Sequence, residues 1–359
     1  MNARVRLLQV SRLDVPMKEP FGIAGGAQTA AANVMVRAVL SDGTEGWGEG
    51  APMPAFNGET QAGTLSAARR AVGAMRGVQA GAWEAWGPRL RAALPRRACA
   101  RAAVETALLD AWTRRLGIPL RVLFGGAEDR LVTDITIPIV PPEKAASAAR
   151  GIRAFGVHTL KIKVGKRVED DATRVLSALA AAPRSKLMLD ANAGYSASDA
   201  LRLLRLLRAE GVEPELFEQP TAAADLAGLR RVRRAGRVRV AADESADSSA
   251  AIGRLAAAGA CDVVNIKVMK LGLLGAWDAA RAARAAGFSL MIGGLVETRL
   301  GMTAAAHLAC GLGAFEFADL DTPLFLARDP MRGVPIRRGG VYDLSPVKAG
   351  IGVSPRGRR

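Results

Sequence analysis

The chain has 359 residues, half of them apolar, with a formal net charge of +16. That length accommodates a barrel of roughly 200–250 residues plus a second region, and the apolar share excludes a disordered chain as the default. The three cysteines, Cys99, Cys261 and Cys310, have no metal-binding spacing and cannot all pair, residues 1–15 hold no apolar signal core, and no uninterrupted apolar run reaches ~18 residues; a soluble, cytoplasmic protein without membrane partners is expected.

Residues 5–15 and 32–40 alternate apolar and polar side chains, and Ser41-Asp42-Gly43-Thr44 reads as a turn, so the chain begins as an antiparallel sheet. Between these strands, the glycine-rich stretch 20–28 reads as a mobile loop, and a second loop follows at 52–59. Helical patterns occupy 60–75, 82–93 and 98–115, the last with Val104, Ala107, Leu108 and Trp112 on one face. The first ~120 residues thus form an α+β region. From about residue 132 strands and helices alternate, with strands expected at 132–139, 159–164, 186–190, 215–218, 238–243, 262–267, 288–293 and 314–319. Eight strands with parallel connections point to a closed barrel, with an open doubly wound sheet as the alternative on pattern alone. The tail from residue 322 is expected to pack back on the first region.

Five of these strand blocks carry a charged residue at or just beyond their C-terminal tip: Lys163, Asp190, Glu218, Asp243 and Lys267, separated by 27, 28, 25 and 24 residues. A near-constant repeat of that size is a βα unit, and in a parallel barrel such tips converge on one face. Asp190, Glu218 and Asp243 would repel one another unless a cation stood among them. Oxygen ligands without histidine or cysteine select Mg²⁺, with Mn²⁺ as a substitute; the competing reading, salt bridges to arginine, finds no arginine at the tips. Strands two and six of an eight-stranded barrel are opposed, so Lys163 and Lys267 would face each other across the metal, with Lys161 on the same side of its strand as Lys163. Only nine of the 50 basic residues are lysines, and five of them cluster at 161, 163, 166, 267 and 270. Arginine keeps its proton, whereas lysine beside another cation can act as a base. Lys166 and Lys270 are expected to be solvated, and His158 and His307 to be structural. The chemistry implied is removal of a proton α to a metal-bound carboxylate by one lysine, through an enediolate, and its return by the other with inversion at carbon.

The net charge raises a reading of another class, a basic nucleic-acid-binding protein. The excess is arginine distributed through Ala-Arg helices such as 201–208, however, which reads as a solvated surface, and no nucleic-acid partner is expected.

Lys161-Ile162-Lys163, Asp190-Ala191-Asn192, Glu218-Gln219-Pro220, Asp243-Glu244-Ser245, Asn265-Ile266-Lys267 and Gly293-Gly294-Leu295-Val296-Glu297 together resemble the enolase superfamily, within it the muconate lactonizing enzyme subgroup. The resemblance covers essentially the whole chain. It implies a modified TIM barrel, (β/α)7β, over residues 126–321 and an α+β capping domain over 1–125 completed by 322–359. It further implies Mg²⁺ on Asp190, Glu218 and Asp243, and Lys163 and Lys267 as the acid/base pair supported by Lys161. Asp319-Leu320-Asp321 looks like the Asp-x-Asp signature of dipeptide epimerases, in which the pair receives the substrate α-ammonium; the plainer alternative is that both acids cap the following segment. The capping loops would meet the substrate through Ile23, Gly25, Gly26 and Phe56. The first of them lacks the basic residue that a glutamyl side chain needs. The expectation is therefore an isomerase, a dipeptide epimerase with Ala-Glu as first candidate and an apolar or small second residue next, in a chain compatible with a homo-oligomer. Within the subgroup the alternative is o-succinylbenzoate synthase or another cycloisomerase.

Overall fold

The computed structural model describes residues 3–23 and 26–357. Strands Val5–Ile23, Gly26–Leu40 and Glu45–Gly50 form an antiparallel sheet in chain order. The first two make a long hairpin whose pairing continues through Phe21↔Gln28, Gly22↔Ala27 and Ile23↔Gly26. Most of the stretch expected as a loop is therefore strand. Main-chain pairing between two extended segments needs no side chain, and small residues do not oppose it. This arm reaches the barrel: the Ile139 amide donates to Gly22 O at 3.2 Å and the Lys18 amide to Phe325 O at 2.8 Å.

The third strand, Glu-Gly-Trp-Gly-Glu-Gly, lies against helix Ala98–Leu116. A Cβ on Gly46 would stand 2.2 Å from Ala111 N, on Gly48 2.1 Å from Ala103 O, and on Gly50 2.3 Å from Cys99 O. A strand repeat of two residues here matches a helix repeat of four, so only glycine lets the two backbones meet. Helix Gln61–Met75, capped by the Thr60 hydroxyl, packs on the same layer.

Eight strands, Ile135–Ile137, Thr159–Lys163, Lys186–Asp190, Leu216–Glu218, Arg239–Ala242, Val263–Lys267, Ser289–Gly293 and Phe315–Asp319, pair in parallel and in chain order. The first and last meet where the Asp134 amide donates to Ala318 O at 2.9 Å, which nearly closes the barrel. Eight helices fill the seven connections between consecutive strands, from Pro142–Ala154 to Arg299–Leu312, with two of them, Val268–Leu271 and Leu273–Ala285, in the sixth, and the eighth strand runs into a single 3-10 turn, Thr322–Leu324. One expected strand is split: Arg130–Val132 leaves the barrel line to pair with Val341–Asp343, and only Ile135–Ile137 joins the barrel. Exposure explains the break, because Val132 is 62% exposed whereas Ile137 is fully buried. The C-terminal segment returns to the earlier helices, with the Leu120 amide on Gly350 O, the Ile351 amide on Asp110 Oδ1 and Arg114 Nη2 on Val353 O, all at 2.7–2.8 Å. Among the described residues no helix is long and apolar enough to cross a membrane.

Candidate active site

The parallel register sets the strand tips level. Lys163 pairs with Asp190, Asp190 with Glu218, Lys267 with Gly293, and Gly293 with Asp319. Because alternate residues of a strand face the same side, Lys161, Lys163, Asp190, Glu218, Lys267 and Asp319 converge on the barrel's C-terminal mouth with Asp243, the residue after strand Arg239–Ala242. All seven are buried.

Lys161 Nζ stands 2.9 Å from Asp190, 2.7 Å from Glu218 and 2.5 Å from Asp319. Lys163 Nζ donates to Asp190 at 2.6 Å and to Asn192 Oδ1 at 3.0 Å. Lys267 Nζ lies 2.7 Å from Asp243 and 4.7 Å from the centre of the Phe56 ring. Lys163 and Lys267 sit four strands apart in the eight-stranded order, so they occupy opposing walls of one cavity. Asn192, Thr136, Thr322 and the carboxylates of Asp319 and Asp321 add to its polar lining, and Phe21, Met53, Phe56, Leu295 and Val296 form its apolar lining.

Burial works against charge at Lys161, Asp190, Glu218, Asp243 and Lys267, and the balance with neighbouring charges sets each shift. For Lys161 and Lys267 burial favours the neutral amine, but the carboxylates outweigh it and hold both well above the ordinary lysine range. Asp190 and Asp243 are held low by the lysines against the opposing effect of burial. Glu218 is pushed up to about 7 by burial and by Asp190, and Glu244 to about 8 by burial and by Asp243.

A hard divalent cation fits this donor set. Asp190, Glu218 and Asp243 offer only oxygen from three adjacent strand tips, and Glu218 Oε2 and Asp243 Oδ2 are buried with a lysine ammonium at 2.7 Å as their facing cation. These three carboxylates do not close into a compact cluster, because lysine ammoniums lie between them. Among the described residues the group that brings one carboxylate oxygen from each member within 4.8 Å of the others is Asp134, Asp319 and Asp321. Both Asp134 oxygens are buried without a partner, and burial together with Asp319 raises its pKa well above the carboxylate range. Asp321 accepts from the Thr136 amide at 2.5 Å, and burial followed by Asp319 pushes it up to about 7.

The quoted motifs also scaffold the tips. Gln219 holds a positive φ of 35° and cross-links two strands, accepting from the Asp243 and Ser245 amides at 2.9 and 3.2 Å and donating to Ser245 Oγ at 2.8 Å. Asn192 and Ala193, also at positive φ, turn the chain after Asp190; such backbone strain concentrates at sites. Asn265 Nδ2 donates to Glu218 at 2.7 Å, and a Cβ on Gly293 would come within 2.7 Å of that amide group.

Lys270 departs from the expectation of a solvated side chain. It is buried, and its amine donates to Asp243 O, Asp243 Oδ1 and Asn265 O at 2.6–2.8 Å. The short helix Val268–Leu271 turns it back under the strand tip, a fold-back that lysine scarcity hinted at and spacing alone did not reveal. Asp134 and Thr136 were also missed; their signal was two polar residues alternating with isoleucine in an otherwise buried strand. His307 is fully buried between the Arg121 amide and Ile351 O, and burial lowers it to about 4, whereas His158 sits outside against Arg153. Of the capping residues, Phe56 lines the cavity, with Phe21 and Met53 beside it. Gly26 stands at the hairpin end and adds nothing to that wall. Gly25 and the side chain of Ile23 lie outside the described residues.

Residues 7–125 match the N-terminal domain of the mandelate racemase / muconate lactonizing enzyme family, and residues 143–359 the family described as enolase C-terminal domain-like. The chain belongs to this family and is an enolase-superfamily enzyme of the isomerase class. It is 42% identical to an aromatic dipeptide epimerase of Herpetosiphon aurantiacus over 99% of both chains. It is 35% identical to the L-Ala-D/L-Glu epimerase of Bacillus subtilis over 96% of this chain and 95% of that one. A dipeptide epimerase of Enterococcus faecalis, solved with Mg and the dipeptide L-Leu-L-Tyr, superposes with a TM-score of 0.94 at 33% identity, covering 98% of this chain and 99% of that one.

Proposed function

We propose that the protein is a Mg²⁺-dependent dipeptide epimerase that inverts the α-carbon of the C-terminal residue. The observation that carries this reading is a single cavity with Lys163 and Lys267 on opposing walls and the Asp319/Asp321 pair at one end. Mg²⁺ held by Asp190, Glu218 and Asp243 would neutralise the charge that builds on the substrate carboxylate as the α-proton leaves. Lys163 and Lys267 work on opposite faces of that carbon: one amine takes the proton and the other delivers one, so the configuration inverts. Lys161 holds Asp190, Glu218 and Asp319 together and Lys270 anchors Asp243, so both act as positioning residues. Asp319 and Asp321 receive the substrate ammonium, a requirement that a succinylbenzoate or muconate substrate would not impose.

Phe21, Met53, Phe56, Leu295 and Val296 favour an apolar second residue over glutamate, since among the described residues lining the cavity there is no arginine. The test is incubation with Mg²⁺ and a panel of L,L-dipeptides in D₂O, followed by mass spectrometry. A one-dalton gain that disappears with EDTA is expected. No gain with any dipeptide, together with dehydration of the o-succinylbenzoate precursor, would move the assignment to that synthase.

A further inference from the structure

We infer that the site continues into a second, apolar cavity that takes the side chain of the substrate's first residue, and that bulky apolar first residues are therefore preferred. This rests on the dipeptide reading above. The cavity, of about 430 Å³, lies between the hairpin arm and helix Pro142–Ala154. Ile135, Val140, Ala148 and Ile152 form one side. Phe21 and Phe325 form the other, with ring centroids 5.3 Å apart and planes tilted by 54°. The charged groups at its rim already have partners: Lys18 Nζ donates to Leu324 O at 2.7 Å, and Lys144 stands 3.9 Å from Glu19. An apolar occupant suits such a lining, because its burial gains free energy in proportion to the area removed from water.

Continuity with the reaction site identifies that occupant. Phe21 and Thr136 line both cavities. Thr136 also touches the ammonium-receiving pair, its amide donating to Asp321 at 2.5 Å and its hydroxyl to Asp319 at 3.4 Å. An α-carbon held by its ammonium at Asp319 and Asp321 stands next to that shared wall. Its side chain has two directions, back toward the lysines, where the second residue must lie, or past Thr136 and Phe21 into the apolar cavity.

The experiment compares kcat/KM for dipeptides that share an apolar second residue and carry alanine, leucine or phenylalanine first. The wild-type protein should favour leucine over alanine. In A148F, which fills the cavity, the leucine-to-alanine ratio should fall by at least about tenfold, the discrimination that a few buried carbons supply. In V140A, which widens it, the phenylalanine-to-leucine ratio should rise, and this arm decides the matter if A148F does not fold. A wild-type enzyme indifferent to the first side chain, or ratios that neither variant moves, would overturn the inference while leaving dipeptide epimerisation in place. Absence of exchange with every dipeptide would overturn both, and so the two failures are distinguishable.

Discussion

Replacing Lys161 with methionine isolates the electrostatic keystone of the site. Methionine preserves an unbranched chain of similar length and removes the ammonium, its charge and its N–H donors together. The fully buried Lys161 ammonium is shared by three buried carboxylates at 2.5–2.9 Å. Removing one partner of a buried ion pair costs about 3–5 kcal/mol because the other charge is left uncompensated, and three carboxylates share this cation, so the upper part of that range applies. With about 2.1 cal/mol/K of unfolding entropy per residue, a chain of 359 residues shifts by roughly 1.3 °C per kcal/mol, so the variant should unfold about 5–7 °C below wild type. Thermal unfolding followed by circular dichroism in EDTA at pH 7.5 measures this. Adding Mg²⁺ should recover part of the loss in K161M and raise the wild type less, since the dication supplies charge that the variant lacks. A midpoint within about 2 °C of wild type in EDTA would mean that the carboxylates do not depend on this lysine, and the account of the site would fail.

K267A should lose epimerisation by about 10²–10⁴-fold, the range of a general acid–base group, yet still exchange the α-proton of the one epimer that faces Lys163; wild-type turnover would refute the two-base assignment. Buried Glu105 caps the Leu274 amide at 2.9 Å, and burial raises it to about 7. Its folded value thus exceeds the unfolded value of about 4.3: the native state keeps a proton that the unfolded chain releases, so this contribution to stability is complete below about pH 4.3 and is lost as pH rises through 7. E105Q should therefore gain on wild type by on the order of 3 kcal/mol between pH 5 and pH 8 in urea denaturation, and parallel curves would refute it. G48A places a methyl 2.1 Å from Ala103 O and 2.6 Å from Ala107 N, both backbone atoms; overpacking there should cost about 3 kcal/mol or more, and an unchanged urea midpoint would refute the close approach.

Legibility divided along a physical line. A residue at a strand tip could be read without coordinates because apolar runs ending in charge recur with a regular period, and that regularity placed Lys163, Asp190, Glu218, Asp243 and Lys267 on one face. The lysine spacing was equally readable at 161 and 163, where alternation along a strand fixes the side. Lys270 was not, because a four-residue helix, Val268–Leu271, reverses the direction that a solvated loop would give it. The stretch 20–28 was misjudged because glycine content reports what a backbone can do, whereas pairing with a neighbour decides what it does.

By itself, then, the sequence determined the βα repeat, the order of charges around the barrel and the residue types available for proton transfer, since these follow from local period and chemistry. Only the tertiary structure decided which groups share charge. Lys161 serves three carboxylates from three strands, Asp134 joins Asp319 and Asp321 across the barrel seam, and Phe21 comes from the far hairpin to close the cavity. The reason is distance: a period describes neighbours along the chain, while electrostatics and packing act between residues tens to hundreds of positions apart.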